Sequence, residues 1–106
     1  MTQAELYQAL KSIGYPVAYG SFSSHVTTPF IVYQFAYSSD MIADNHNYVD
    51  IGNFQVELYT AKKDLTAEKK VQDKLKELGL PYRKFETYLD EEKMFQILYE
   101  IQILGG

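Results

Sequence analysis

The sequence predicts an α+β fold. The expected form is a two-layer sandwich, a mostly antiparallel mixed sheet with two helices on one face, in the order α-β-β-β-α-β-β. Three observations predict it. Two helical stretches carry one apolar stripe each, and such stripes need a common surface to bury. The segments between and after them are rich in aromatic and β-branched residues, partly in period-two alternation. After each helix a glycine and a proline, Gly14 with Pro16 and Gly79 with Pro81, stop the helix and prevent its resumption.

Thr2 and Glu5 have capping-box spacing, and Leu6, Ala9, Leu10 and Ile13 recur at helical spacing, so the first helix is expected over residues 3–13. A short strand, Val17–Tyr19, follows, then a polar loop to Pro29. Phe30–Tyr37 is apolar almost throughout, which suits a strand covered on both faces near the sheet centre. Ser38–Tyr48 is polar and too long for a tight turn, hence an extended hairpin arm or a mobile loop. The third strand runs from Val49 to Thr60, with Phe54, Val56 and Leu58 inward and Gln55, Glu57 and Tyr59 outward.

Asp64 or Thr66 can cap the second helix, Leu65–Leu78, whose stripe is Val71, Leu75 and Leu78 with Lys and Glu on the other side. Tyr82–Leu89 reads as a strand, Asp90-Glu91-Glu92-Lys93 as an acidic turn, and Met94–Leu104 as the last strand. Phe95, Ile97, Tyr99, Ile101 and Ile103 share one face of that strand. The helix ends at Ala9–Pro16 and Lys74–Pro81 echo each other; shared stop chemistry is the simpler reading, and an αβ duplication is the alternative. The second sheet face stays exposed, carries Tyr and Gln, and is a candidate partner surface.

With 106 residues the expectation is a single domain over residues 1–106. Ten Lys and Arg against fourteen Asp and Glu leave a net charge of −4, the wrong sign for a dedicated nucleic-acid binder. The absence of cysteine excludes disulfides, thiol catalysis and thiolate metal sites. The opening residues Met1–Glu5 are polar and no apolar run approaches membrane-spanning length, so neither a secretory signal nor a membrane partner is expected.

Enzyme chemistry needs a nucleophile beside a base, paired carboxylates in a pocket, or a metal. His25 and His46 each fall in polar loops, where a solvated imidazole is the simpler reading than a catalytic base. Asp44–Asp50 lacks the glycine and terminal glutamate of a calcium loop and offers one histidine to zinc. Asp90, Glu91 and Glu92 are adjacent, and adjacent turn residues point apart, so they make no defined acid–base pair. Lys62, Lys63, Lys69 and Lys70 are diluted by Asp64, Glu68 and Asp73, as on a mixed solvent face. Glu57 and Glu100 alternate outward, away from any buried pocket. No catalytic residue, metal site or cofactor is therefore expected.

The tyrosines are the remaining signal. Tyr33, Tyr37, Tyr48, Tyr59, Tyr82, Tyr88 and Tyr99 fall on or beside expected strands, divided between core and interface. With the arm and the acidic turn they give a candidate interface: Tyr33, Tyr37, Asp40, Met41, Ile42, Asp44, Asn45, His46, Tyr48, Tyr59, Tyr88, Asp90, Glu91 and Glu92.

Three blocks carry a family resemblance: Thr28–Phe35, Ala43-Asp44-Asn45 leading into Phe54–Asp64, and Glu86–Glu100. Together they resemble the small tail-completion, tail-terminator or head–tail joining proteins of long-tailed bacteriophages and of prophages in Gram-positive bacteria. The resemblance covers residues 28–101, and Gln55–Thr60 with Tyr88–Glu92 are its more specific parts. It implies an α+β fold and a homo-oligomeric ring, typically a hexamer, at the head-proximal end of the tail tube. The ring stops tube growth and docks the head-connector protein, while DNA passes through as cargo. An acidic lining would let DNA slide. The resemblance also implies a place in the host cytoplasm during assembly and then in the virion tail. The competing reading is a ligand- or nucleic-acid-binding module using an exposed aromatic sheet face.

Overall fold

Thr2 caps the first helix reciprocally: its Oγ1 accepts from the Glu5 N–H at 3.1 Å, and Glu5 Oε1 accepts from the Thr2 N–H at 2.8 Å. Helix α1 then runs over Gln3–Lys11. It ends before the expected residue 13 because the last turn tightens, with Ile13 N–H donating to Leu10 O and Gly14 N–H to Lys11 O. Gly14 (φ +108°) and Gly79 (φ +71°) both take the left-handed conformation that the stop signals call for. Asp64 is the cap of α2, Leu65–Glu77, accepting from the Ala67 N–H at 3.0 Å.

The computed structural model describes residues 1–43 and 45–105, the side chains of Ala43, Asn47 and Tyr48 excepted. Strands β1 (Val17–Tyr19), β2 (Phe30–Ser38), β5 (Ile51–Thr60), β6 (Arg83–Leu89) and β7 (Met94–Leu104) form one sheet in the order β1-β2-β5-β7-β6. All neighbours are antiparallel except β1 and β2, which run parallel through the pair Val17↔Ile31. Between β2 and β5 in the chain stand β3 (Met41–Ala43) and β4 (His46–Val49), which among the described residues pair only with each other. The segment expected as an arm or loop is thus a two-stranded ribbon, and β5 begins at Ile51 rather than Val49.

Both helices cover one face. Leu6 and Leu10 of α1 and Ala67, Val71 and Leu75 of α2 are buried against Ile31, Tyr33, Phe54, Val56, Leu58 and the inward side of β7. The inward residues Ile97, Tyr99, Ile101 and Ile103 are at most 1% exposed, as the alternation predicts. The central strand is β5, not β2. Ile31, Val32 and Tyr33 are buried, but Phe35–Ser38 run out beyond the three-residue β1 and are exposed. The two-layer α+β architecture matches the expectation, with two ribbon strands added.

The ribbon lengthens the molecule. Its longest axis is 49 Å and its radius of gyration 14.7 Å, against about 13 Å for a compact chain of this length.

Candidate interaction surface

The open face of the sheet is built from alternate residues of β2, β5, β7 and β6. It is not the bare aromatic surface the alternation suggests. Gln34 Nε2 donates to Glu57 Oε2 at 3.0 Å and the Tyr59 hydroxyl donates to Glu57 Oε1 at 2.8 Å. Gln96 Nε2 in turn donates to the Tyr59 oxygen at 2.9 Å. Phe30 stacks on the Tyr59 ring with centroids 4.8 Å apart. Under this carpet Glu57 is only 5% exposed, so its outward direction does not make it a solvated side chain. Burial, and then the hydrogen bond to Glu57, push the Tyr59 phenol up to about 12. A second cluster closes the end nearer the ribbon. Buried Asn53 donates to Tyr37 O at 3.1 Å and Ser39 Oγ at 2.7 Å and accepts from Gln102 Nε2 at 3.0 Å.

The tyrosines divide by position. Tyr33 is 5% exposed, 5.2 Å from the Tyr19 ring and 6.1 Å from the Tyr7 ring, so it belongs to the core and offers no partner surface. Burial raises its phenol above the ordinary range. Tyr99 is likewise core, its hydroxyl donating to Gln72 Oε1 of α2 at 2.9 Å. Tyr59 is half-buried and held as described. Tyr37 and Tyr88 are exposed, the latter edge-on to Phe95.

The remaining interface candidates split between opposite ends of the sheet. Asp40, Met41, Ile42, Asn45 and His46 lie in the ribbon, next to the Ile51↔Leu104 pair. Asp40 anchors it by accepting from the Ile51 N–H through Oδ1 at 2.9 Å. Asn45 takes a left-handed conformation at the turn. Met41 and Ile42 are 60% and 68% exposed. Asp44 and the Tyr48 side chain lie outside the described residues. Asp90, Glu91 and Glu92 are exposed in the β6–β7 turn, near the Thr60↔Phe95 pair, roughly 30 Å along the strands from the ribbon. The acidic turn and the ribbon therefore form separate surfaces.

Three features escape a reading by periodicity. Glu68 is expected on the solvent face of α2, yet it is 2% exposed, with Lys63 at 2.7 Å and Lys84 at 2.7 Å. Burial alone would raise its carboxyl, but hydrogen bonds from the two lysines outweigh it and hold it below the ordinary range. Second, β6 pairs with β7 only up to Arg83↔Glu100, leaving Ile101–Leu104 without a strand neighbour on that side among the described residues. A groove of about 670 Å³ lies there, lined by that stretch, Tyr37 and the connection from α2 to β6. Third, the charge is segregated: residues 12–61 contain no Lys or Arg but hold Asp40, Asp44, Asp50 and Glu57, while in residues 62–106 the cations and carboxylates are equal in number. That signal was countable in the sequence.

Among the described residues no group of three or more His, Asp or Glu side chains is placed to hold a metal, and no helix is long and apolar enough to cross a membrane. No protein-family model and no curated protein matches the chain.

Proposed function

We propose that this chain is a structural tail-completion protein of a phage or prophage, of the terminator or head–tail joining kind. It would form a ring, by analogy a hexamer, on the head-proximal end of the tail tube, stop tube growth and dock the head connector. DNA would pass through as cargo, and the protein would act first in the host cytoplasm and then in the virion tail. It would work by binding, without catalysis or cofactor.

The observation that carries this reading is the projecting ribbon. A two-stranded ribbon this short is marginal by itself in water, and this one holds Met41 and Ile42 out at 60% and 68% exposure. Such a device gains cover only from a neighbour, as assembly provides. The three sequence blocks that resemble tail-completion proteins support a phage tail as that assembly. The middle of the open face supports the same choice over base stacking: Phe30 and Tyr59 are occupied with each other above buried Glu57, while Phe85 of β6 is exposed at 51% without a stacking partner there among the described residues.

Purified tail tubes test the proposal. With the chain added, negative-stain images should show one tube end capped and subunit addition there should cease. Tubes that keep growing and stay bare would overturn it.

A further inference from the structure

β1 and β6 are the outer strands of the sheet, and among the described residues each has a strand on one side alone. Rows of directly paired residues cross the whole sheet. One row runs through Val17, Ile31, Leu58, Ile97 and Glu86, and another through Tyr19, Tyr33, Val56, Tyr99 and Lys84. The two edges therefore stand at the same height along the strands. They also run in opposite directions: β1 is parallel to β2, β2 and β7 are each antiparallel to β5, and β6 is antiparallel to β7. Copies related by rotation about an axis along the strands would bring β6 of one beside β1 of the next as an antiparallel pair, in register without a shift.

The hydrogen-bonding phase agrees. Ile31 N–H donates to Pro16 O and Gly20 N–H to Tyr33 O, so Ala18 between them also turns its backbone groups to β2, while Val17 and Tyr19 turn theirs outward. At the other edge, Gly105 N–H donates to Asp50 O, so the odd-numbered residues of β7 face β5 and the even-numbered ones face β6. Arg83, Phe85 and Thr87 face β7 in turn, which leaves Lys84 and Glu86 facing outward. Lys84 thus meets Tyr19 of the neighbour and Glu86 meets Val17, outward groups against outward groups. The Tyr19 carbonyl is already used, accepting from the Ser21 N–H at 2.8 Å. The Tyr19 N–H and the Val17 N–H and C=O are left for the neighbour.

The side chains fit the same pairing, since directly opposite residues share a face of an antiparallel pair. Val17 packs on the core and Tyr19 against Tyr33, on the helix-covered face. Lys84 and Glu86 lie on that face too, their charges met within the chain by Glu68 and Lys63. On the open face the exposed Phe85 falls opposite Ala18, whose small side chain leaves room for the ring. Residues 12–39 contain no Asp, Glu, Lys or Arg, so β1 lacks the charges that guard exposed strand edges. A two-fold contact through either strand would cover one edge and leave the other bare. Head-to-tail pairing covers both, and such contacts close into rings.

We propose that β6 of each copy pairs with β1 of a second copy, joining the sheets of ring neighbours edge to edge. This inference rests on the ring reading above and locates the contact between neighbours.

The chain's lack of cysteine makes a direct test available. Ala18→Cys and Phe85→Cys chains, each with one thiol, are mixed at the highest concentration the chain tolerates and oxidised. The expected product is the mixed disulfide between the two variants. Homodimers of either variant as the main product, or no disulfide at all, would overturn the contact. Two double variants read the same facing without a thiol. Ala18→Arg with Phe85→Arg sets like charges opposite each other, and Ala18→Asp with Phe85→Arg sets opposite ones. By light scattering the first should need roughly tenfold more protein to associate than the second. Equal association of the two would also overturn the pairing. The two proposals fail separately. Capped tubes without the mixed disulfide sink the contact and leave the tail role; the mixed disulfide with bare tubes does the reverse.

Discussion

Glu68 Oε1 lies 2.7 Å from Lys84 Nζ, so a carboxylate of α2 that is 2% exposed is gripped by a cation on the edge strand β6. Lys63 holds the other oxygen at 2.7 Å and also reaches Glu86. The cluster ties the start of α2 to a strand that would otherwise be held to the body by its pairing with β7.

Acid should loosen this tie. The Glu68 carboxyl is held below the ordinary carboxylate range when folded. Its contribution is therefore present above the unfolded pKa and is lost as pH falls through the folded one. Denaturant titrations between neutral pH and pH ~3 should show stability falling, with the fall reduced in Glu68→Gln. At neutral pH that variant should be less stable by about 1–3 kcal/mol, the cost of losing charge-assisted hydrogen bonds. An unchanged acid profile in the variant would show that other carboxylates carry it.

Alkali acts on the opposite face. Burial and the Glu57 hydrogen bond push Tyr59 up to about 12 from an ordinary value of 10.0. Its contribution is complete below the unfolded value and is lost as pH rises through the folded one. Ultraviolet titration should find one phenol ionising near pH 12 that is absent in Tyr59→Phe, and Glu57→Gln should bring that ionisation down.

Phe54 is 4% exposed and Ile97 is fully buried, both on the helix-covered face. Phe54→Ala or Ile97→Ala should destabilise the fold by about 2–5 kcal/mol, read as a lower midpoint in urea. Tyr99→Phe should cost about 1 kcal/mol, since it removes only the hydroxyl that reaches Gln72.

Deleting residues 40–47 should leave the body folded. The ribbon strands pair only with each other, and the Ser39 N–H already closes the hairpin by donating to Ile51 O at 2.8 Å. Circular dichroism and the urea midpoint should stay close to those of the full chain, while capping of tail tubes is lost. A collapsed spectrum would place the ribbon in the folding core.

The sequence by itself determined the two helices, the five strands of the main sheet and the buried faces of β5 and β7. The cap at Thr2, left-handed stops at Gly14 and Gly79, and the alternation in β5 and β7 are local, and local chemistry states them in full, whereas the choice of Asp64 over Thr66 as the cap of α2 came from the structure. Only the tertiary structure decided what happens between strands distant in the chain. It put Tyr33 in the core, since whether a ring on a doubly apolar strand faces helices or water depends on what packs above it. It buried Glu57 and Glu68 by bringing Gln34 and Tyr59 to the first and Lys63 and Lys84 to the second. It left Ile101–Leu104 bare because β6 enters the sheet late, at Arg83 opposite Glu100. Burial of a charge and bareness of an edge are properties of neighbours, and no period in a single strand encodes which neighbours arrive.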